Sequence, residues 1–172
     1  VDSPWGGGQV RLAVSGAHMA SNATAAIAVA GVITGSIDAA LTALGEATVS
    51  GMRMEVGRSG SGAVVVNDAY NANPDSMRAA LDALAGIRAD RRFAILGEMA
   101  ELDDPAAAHA QVLAEAAARG IEVVVSGTDL YGVRPVEDPV AAIGPIGAGD
   151  AVLVKASRAA GLERWVGPLL DS

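Results

Sequence analysis

The last two thirds of the chain alternate between short apolar runs and longer segments of helical composition. Four apolar runs of strand length follow Gly62, at residues 63–68, 91–98, 121–127 and 150–157. Segments of helical composition follow the first, second and fourth runs, at residues 74–87, 105–120 and 158–170. Continuous apolar strands that alternate with helices predict a parallel sheet covered on both faces, with right-handed crossovers.

The first 62 residues follow a less regular pattern. Residues 9–15 alternate apolar and polar side chains, which predicts one short strand closed by Gly16. An Ala-rich helix is predicted over 21–31, ended by Gly31, and a second over 36–47 with Ser36 as its N-cap. Residues 52–58 alternate again, and a Gly-Ser turn joins them to the strand at 63–68.

This change of pattern predicts a domain boundary near residue 50. Residues 51–172 are predicted to form a complete α/β domain, a Rossmann-like, doubly wound and mostly parallel sheet. Residues 1–50 are predicted to be an incomplete piece of a neighbouring domain, made of a strand and two helices.

Composition narrows the classes of function. Aromatic residues make up 3% of the 172 residues, so the core has to be built from Ala, Val, Leu and Ile. A net charge of −8 without a basic cluster argues against nucleic-acid or anionic-membrane binding. The chain has no cysteine, no apolar run of membrane-spanning length and no signal-peptide pattern at its start. These features favour a soluble cytoplasmic protein.

In an open parallel sheet, ligands bind beyond the carboxyl ends of the strands. The loop after the first predicted strand carries Asp68, Tyr70, Asn71 and Asn73. Asp68 and Asn71 supply a carboxylate and an amide that can bond ribose hydroxyls or a substrate's charged groups. Asn73, followed by Pro74, fits a helix N-cap equally well.

Three residues at the end of the last predicted strand, or directly after it, suit an anion. Lys155, the only lysine of the chain, is followed by Ser157 and Arg158, and together they can hold a carboxylate or a phosphate. The alternative is a cationic helix start, which the helix dipole disfavours. In the acidic loop at 96–104, Glu98 is the candidate functional residue, and the other acids are typical of a solvated helix start.

Missing motifs exclude other classes. The chain contains no G-x-x-x-x-G-K-[ST] phosphate loop, and its Gly-rich segments do not match G-x-G-x-x-G between strand and helix. His18 and His109 lack metal-ligand spacing, and neither a Gly-x-Ser-x-Gly elbow nor a cysteine nucleophile is present. A self-contained nucleotide triphosphatase, a hydrolase and a metalloenzyme are therefore disfavoured.

Several segments, taken in order, resemble successive motifs of the Mur ligases. They are residues 16–22, Arg53 within MRMEV, NDAYNANPDSMRAAL, AILGEMAEL and DAVLVKASRAAGLER. The most specific are DAYNANPDSM and LGEMAEL. The pattern is most similar to the members that add D-alanyl-D-alanine to a UDP-N-acetylmuramoyl-tripeptide, and it covers nearly the whole chain from about residue 9.

The resemblance implies the end of a central ATPase domain followed by a full C-terminal domain that closes over it. It implies an ATP-dependent ligase of peptidoglycan synthesis that works through an acyl-phosphate. ATP and Mg²⁺ would be held mainly by the absent part of the central domain, so this chain alone is expected to be inactive. A hinge between the domains is expected near residues 50–60.

The resemblance also implies roles for single residues. On the nucleotide side, Asn22 would contact the adenine, Arg53 the phosphates and Asp68 the ribose. Tyr70 would lie beside them, at the junction between nucleotide and dipeptide. The residues implied for the dipeptide side are Asn71 and Asn73 at the same junction, and Lys155, Ser157 and Arg158 at its carboxylate.

A hypothesis from another class remains open. The chain would then be a stand-alone Rossmann-like binding or regulatory module without catalysis, which explains the missing phosphate loop without a missing domain. Whether the native gene encodes a phosphate-loop domain upstream of Val1 discriminates between the two hypotheses.

Overall fold

The computed structural model describes residues 1–12, 17–47 and 51–172, with residues 17 and 18 described by backbone only. The chain divides into two compact units, Val1–Ser50 and Gly51–Ser172. Each unit is a separate body with its own secondary structure. Within the described residues, no helix is long and apolar enough to cross a bilayer.

The first unit consists of a small hairpin and two helices. Strands β1 (Asp2–Ser3) and β2 (Gly6–Gly7) pair antiparallel, and helices α1 (Ala17–Thr34) and α2 (Asp38–Glu46) follow. The strand predicted over 9–15 is wrong for residues 9–12, which have no regular structure, and residues 13–16 lie outside the described part. The hairpin was not predicted.

Gly31 does not end the first helix, contrary to the prediction. Helix α1 continues to Thr34, and Gly35, at φ +74°, follows it. A Cβ on Gly31 would lie 2.5 Å from the ring of Trp5, so this glycine permits a close approach instead of terminating the helix. The prediction of Ser36 as the N-cap of α2 is also wrong, because the cap position is Ile37, which makes no side-chain cap bond. Ser36 lies one residue earlier, and its Oγ accepts a bond of 3.3 Å from the Asp38 N–H.

The second unit contains five strands and four helices. The strands are β3 (Glu55–Arg58), β4 (Val64–Asp68), β5 (Arg91–Leu96), β6 (Glu122–Val125) and β7 (Asp150–Lys155). The helices are α3 (Pro74–Gly86), α4 (Pro105–Ala118), α5 (Pro139–Ile143) and α6 (Val166–Leu170). Pro at the first position of the first three helices, and caps from Asn73, Asp104 and Asp138, fix where those helices begin.

The five strands form one sheet in the order β3-β4-β7-β5-β6. Only β3 is antiparallel to its neighbour, and β4, β7, β5 and β6 run parallel. The last strand of the chain therefore lies in the middle of the sheet. The α/β prediction of a mostly parallel, Rossmann-like sheet is confirmed.

Alternate residues of the strands face two separate cores. One face packs against α3 and α4 through buried residues such as Val66, Leu96, Leu153, Leu81 and Val112. The other packs against α5, α6 and the turns before α6 through residues such as Val65, Ile95, Val154, Ile143 and Leu169. Full burial of each large aliphatic side chain is worth about 1.5–3 kcal/mol, so helices on both faces are held firmly to the sheet.

Two predicted elements of this unit differ in detail, and one helix was missed. The helix predicted over 158–170 is two 3-10 turns, Arg158–Ala160 and Leu162–Trp165, followed by α6, because Gly161 adopts a left-handed φ of +63° between the turns. The strand predicted from residue 52 begins at Glu55, since Met52 and Met54 have φ of 65° and 49°. Helix α5 was not predicted.

Candidate functional site

The carboxyl ends of β4 and β7 lie side by side, with Asp68 paired in register with Lys155. The chain leaves β4 towards α3 on one face of the sheet, and it leaves β7 towards α6 on the other. A crevice opens where neighbouring strands send their connections to opposite faces, and ligands of doubly wound folds bind there. Two of the loops selected from the sequence meet at this crevice.

Asp68 and Lys155 form a buried ion pair in this crevice. The Lys155 Nζ atom lies 2.5 Å from Asp68 Oδ2 and also donates to the Asn71 carbonyl oxygen at 2.9 Å. The side chain of Lys155 is 2% exposed and that of Asp68 is 14% exposed. Burial lowers the pKa of Lys155 below its ordinary value, while the charge and hydrogen bond of Asp68 act in the opposite direction and the charge of Arg53 adds to the lowering.

The segment 52–54 is held against the same loop. Asp68 Oδ1 accepts a bond of 3.0 Å from the Met54 N–H, and the Tyr70 N–H donates to the Met52 carbonyl at 3.1 Å. The two methionines have left-handed backbones, which bulky side chains adopt at a cost of roughly 1–3 kcal/mol each. These contacts fix the backbone on both sides of Arg53.

Tyr70 brings two arginines together. The guanidinium carbon of Arg53 lies 3.9 Å from the centre of the Tyr70 ring, and that of Arg158 lies 5.4 Å from it. Both distances are within the range of cation–π attraction. Arg53 and Arg158 are exposed, so two cationic groups flank one half-buried ring at the crevice of a chain whose net charge is −8. Such an arrangement suits an anionic ligand.

Asn71 and Asn73 differ in the hydrogen bonds that their side chains make within the fold. Asn73 Oδ1 accepts from the Ser76 N–H at 2.8 Å while Ser76 Oγ accepts from the Asn73 N–H at 3.0 Å, which is a capping box at the start of α3. Asn71 is exposed, and its Oδ1 accepts from the adjacent Ala72 N–H at 2.9 Å. The cap interpretation of Asn73 is therefore supported by geometry.

Ser157 connects two loops through its backbone. Its side chain is buried, its N–H donates to the Glu98 carbonyl at 2.8 Å, and its own carbonyl accepts from the Ala160 N–H at 3.0 Å. Ser157 thereby joins the loop after β7 to the loop after β5. Glu98 remains exposed at the same edge of the sheet.

Two residues that sequence analysis gave no role support the loop after β5. His109 Nε2 accepts a bond of 2.9 Å from the Met99 N–H, so the ring proton is on Nδ1, which donates to the Pro105 carbonyl at 2.5 Å. Tyr131 donates its O–H to the Gly97 carbonyl at 2.9 Å. The two rings meet edge to face, with centroids 4.7 Å apart.

Asn22 belongs to the first unit. It is exposed on α1, and its Nδ2 lies 4.0 Å from Met19 Sδ. The structure leaves its predicted contact with adenine untested. His18, another residue of that motif, is described by backbone only.

Comparison with known proteins decides the family. Residues 52–170 match the family described as Mur ligase, glutamate ligase domain. The chain belongs to the Mur ligase family. Members of this family are ATP-dependent ligases, and the matched residues form nearly all of the second unit.

Curated relatives carry one name. The chain is 42% identical to the UDP-N-acetylmuramoyl-tripeptide--D-alanyl-D-alanine ligase of Mycobacterium tuberculosis (strain CDC 1551 / Oshkosh), over 90% of this chain and 38% of the relative. It is 33% identical to the ligase of the same name from Escherichia coli (strain K12), over 73% of this chain and 28% of the relative. The chain thus spans about two fifths, or less, of the Mur ligases it matches.

Solved Mur ligases share the fold. MurF from Acinetobacter baumannii superposes with a TM-score of 0.80 at 25% identity, over 98% of this chain and 40% of that one. MurF from Thermotoga maritima, solved in complex with ADP, gives a TM-score of 0.77 at 23% identity, over 94% and 40%. The second likeness shows the fold alone.

Proposed function

We propose that this chain is the closing part of an ATP-dependent ligase that joins D-alanyl-D-alanine to a UDP-N-acetylmuramoyl-tripeptide during cytoplasmic peptidoglycan synthesis. The observation that supports it most is that Arg53 and Arg158 flank the Tyr70 ring in the loop that follows Asp68, at the carboxyl ends of β4 and β7. The names of relatives that match 90% of this chain give the reaction.

On the nucleotide side, we assign ATP to Asp68, Arg53 and Tyr70. A partly exposed carboxylate accepts hydrogen bonds from ribose hydroxyls, and a guanidinium neutralises phosphate charge in an arrangement that an arginine holds well. The guanidinium carbon of Arg53 lies 3.9 Å from the centre of the Tyr70 ring, in the loop that follows this carboxylate. Asn22, on the first unit, is assigned to the adenine through the family motif alone.

On the dipeptide side, we assign Arg158 and Asn71 to direct contact with D-alanyl-D-alanine. Both are exposed at the crevice, and a guanidinium can grip the terminal carboxylate of the dipeptide with two parallel hydrogen bonds. Asn73, Lys155 and Ser157 complete the set predicted from the sequence. Their side-chain or backbone contacts are made with other residues of this unit, as a cap, an ion pair and a backbone link.

The chemistry requires positioning more than proton transfer. The γ-phosphoryl group of ATP passes to the carboxylate of the tripeptide and gives an acyl-phosphate and ADP. The dipeptide amine then attacks the acyl carbon, an amide bond forms, the C–O bond to phosphate breaks, and the amine loses a proton. Arg53 and Arg158 would stabilise the negative charge that shifts during these steps.

Mg²⁺ would accompany the nucleotide. In the described ranges, no three Asp, Glu or His side chains are grouped to hold a metal ion. The residues of this chain therefore contact the nucleotide and the dipeptide in the proposal, and no step is assigned to a metal bound by them.

Calorimetric titration with Mg-ADP and with D-alanyl-D-alanine tests the proposal. Asp68→Ala is expected to weaken nucleotide binding about tenfold or more and to leave dipeptide affinity within twofold, while Arg158→Ala has the reverse effect. Arg88→Ala is the matched control, because Arg88 is an exposed arginine at the opposite edge of the sheet. Binding that survives both site substitutions contradicts the assignment. A folded chain that binds neither ligand contradicts the assignment of both binding sites to this chain.

A further inference from the structure

We propose that Lys155 is a positioning residue that holds Asp68 and the loop 68–73 in the shape that meets the nucleotide, and that it does not bind the dipeptide itself. The identity of the ligand in this inference depends on the proposed function. The positioning role depends only on the contacts of Lys155.

Burial separates Lys155 from the other cations of the crevice. Its side chain is 2% exposed, whereas Arg53 and Arg158 are exposed. A lysine at the end of a parallel strand ordinarily extends its ammonium to water, because burying that charge is costly unless it is paired. Here the ammonium points into the fold, and its partners are protein atoms.

Two N–H groups of the ammonium are already used. One donates to Asp68 Oδ2 at 2.5 Å, and another donates to the Asn71 carbonyl at 2.9 Å. To reach a dipeptide carboxylate, the ammonium would have to leave both acceptors. Asp68 would then lose the ammonium that holds its Oδ2, so direct binding would disturb the residue assigned to the ribose.

Asp68 is held from both sides by these contacts. Its Oδ1 accepts from Met54 N–H at 3.0 Å, while Lys155 holds Oδ2. A carboxylate oxygen can accept two hydrogen bonds, so each oxygen keeps capacity for a ligand hydroxyl. A carboxylate fixed in this way loses little freedom when it binds a ribose, which is the benefit of preorganisation.

The first test follows the anchored backbone without any ligand. Lys155→Met keeps an unbranched apolar stem but removes the ammonium, and we expect the hydrogen exchange of the Met54 amide to accelerate about tenfold. Exchange of the Ile95 amide in β5 reports on the whole fold and is expected to stay within twofold. Arg88→Met, which removes an exposed cation away from this loop, is the matched control and should leave Met54 unchanged. Unchanged Met54 exchange in Lys155→Met overturns the inference.

The second test separates positioning from direct contact. In Lys155→Met, Mg-ADP affinity is expected to fall about tenfold while D-alanyl-D-alanine affinity stays within twofold. The double variant Lys155→Met with Asp68→Asn should bind nucleotide no more weakly than the worse single variant, because both changes remove the same interaction. Lys155→Arg, which retains the charge, should recover part of the nucleotide affinity. A loss confined to the dipeptide, or equal for both ligands, overturns the inference.

Failure of this inference can be distinguished from failure of the proposed function. If the unmodified chain binds no nucleotide, the proposed function is contradicted for this chain, and the exchange of Met54 still decides the role of Lys155.

Discussion

Four backbone groups in the loop after β5 form hydrogen bonds, each with a different residue. The Gly97 N–H donates to the Lys155 carbonyl, and the Met99 N–H donates to His109. The carbonyls of Gly97 and Glu98 accept from the Tyr131 O–H and the Ser157 N–H. These four bonds give the exposed Glu98 a fixed backbone position.

Tyr131→Phe tests this support at the residue scale. The substitution removes one O–H and leaves the buried Gly97 carbonyl without that partner, so the free energy of unfolding is expected to fall by about 1–3 kcal/mol. Urea denaturation measures the change. Tyr70→Phe is the control, because the Tyr70 ring lies at the half-buried crevice, and its effect should stay within about 0.5 kcal/mol. Equal effects of the two substitutions would contradict the role of Tyr131.

Asp150 gives a prediction for the dependence of stability on pH. Its carboxylate accepts from Arg91 at 2.7 and 2.8 Å and from the Gly147 N–H at 2.7 Å. The bonds from Arg91 lower the pKa of Asp150 despite its burial. A lowered pKa contributes stability above the unfolded value, about 3.9, and this contribution is lost as the pH falls through the folded value.

We therefore expect the unfolding free energies of the unmodified protein and Asp150→Asn to differ most at pH 5 and to converge towards pH 2. Denaturation midpoints measured across this range test the expectation. Asp75→Asn is the control, since Asp75 is 96% exposed beside Arg78 and should show a small, flat difference. A gap for Asp150→Asn that widens on acidification would refute the linkage.

The positions of single site residues were predictable from the sequence where those residues end a strand. Asp68 and Lys155 end apolar runs, and the rule for parallel sheets brings those ends together. His109 and Tyr131 were not predictable, because their partners Met99 and Gly97 lie 10 and 34 positions away and no local pattern marks them. That the Lys155 side chain points into the fold was not predictable either, since a lysine at the end of a strand ordinarily extends into water.

At the scale of elements, β5 and β7 approach each other closely where they end. A Cβ added to Gly97 would lie 2.9 Å from the Ala156 Cβ and about 3.0 Å from the end of Leu162. Gly97 is therefore required by the packing of one loop against the other. The same contact sets how near the loops after β5 and β7 come to each other.

Gly97→Ala is expected to destabilise the fold by about 1–3 kcal/mol through overpacking. Ala156→Gly in the same chain opens the space again and should restore part of the loss. Gly86→Ala is the control, because no atom lies within 4 Å of the added Cβ at the end of α3, and its effect should be neutral or slightly stabilising. Thermal unfolding measures all three. A double variant as unstable as Gly97→Ala alone would contradict the contact.

Elements were predicted well where helix caps and apolar runs coincide, as in α3 and α4. The prediction failed where backbone conformation is decided by tertiary contacts. Gly31 was taken as a helix end, although it accommodates Trp5. Gly161 divides the C-terminal segment because it adopts the left-handed conformation. Met52 and Met54 also have left-handed backbones, so β3 begins only after them.

At the scale of the whole molecule, the two units differ in how much apolar surface they bury. Both large clusters of buried side chains belong to residues 54–169. In the first unit, α1 exposes Val29, Val32 and Ile33 by 58%, 71% and 76%. Contiguous exposed apolar surface marks a docking face, which agrees with the proposal that residues 1–50 belong to a larger domain.

Residues 51–172 expressed alone are expected to unfold cooperatively, with a melting temperature within about 5 °C of the whole chain, because their cores are complete. Circular dichroism and the fluorescence of Trp165 follow the transition. Residues 1–50 alone serve as the comparison and should show no cooperative transition, since about 50 residues with few buried side chains bury too little surface. A fragment 51–172 without a cooperative transition would refute the independence of this unit.

The central place of β7 has a consequence for synthesis on the ribosome. β4 and β5 each pair with β7 and not with each other, yet β7 is the last strand to be translated. Until residue 155 emerges, the nascent chain has two apolar strands with open edges, and at 5–20 residues per second this interval lasts several seconds after β5 is made. The chain is therefore most exposed to aggregation and to quality control while residues 97–155 are being translated, and its sheet is completed only when β7 emerges.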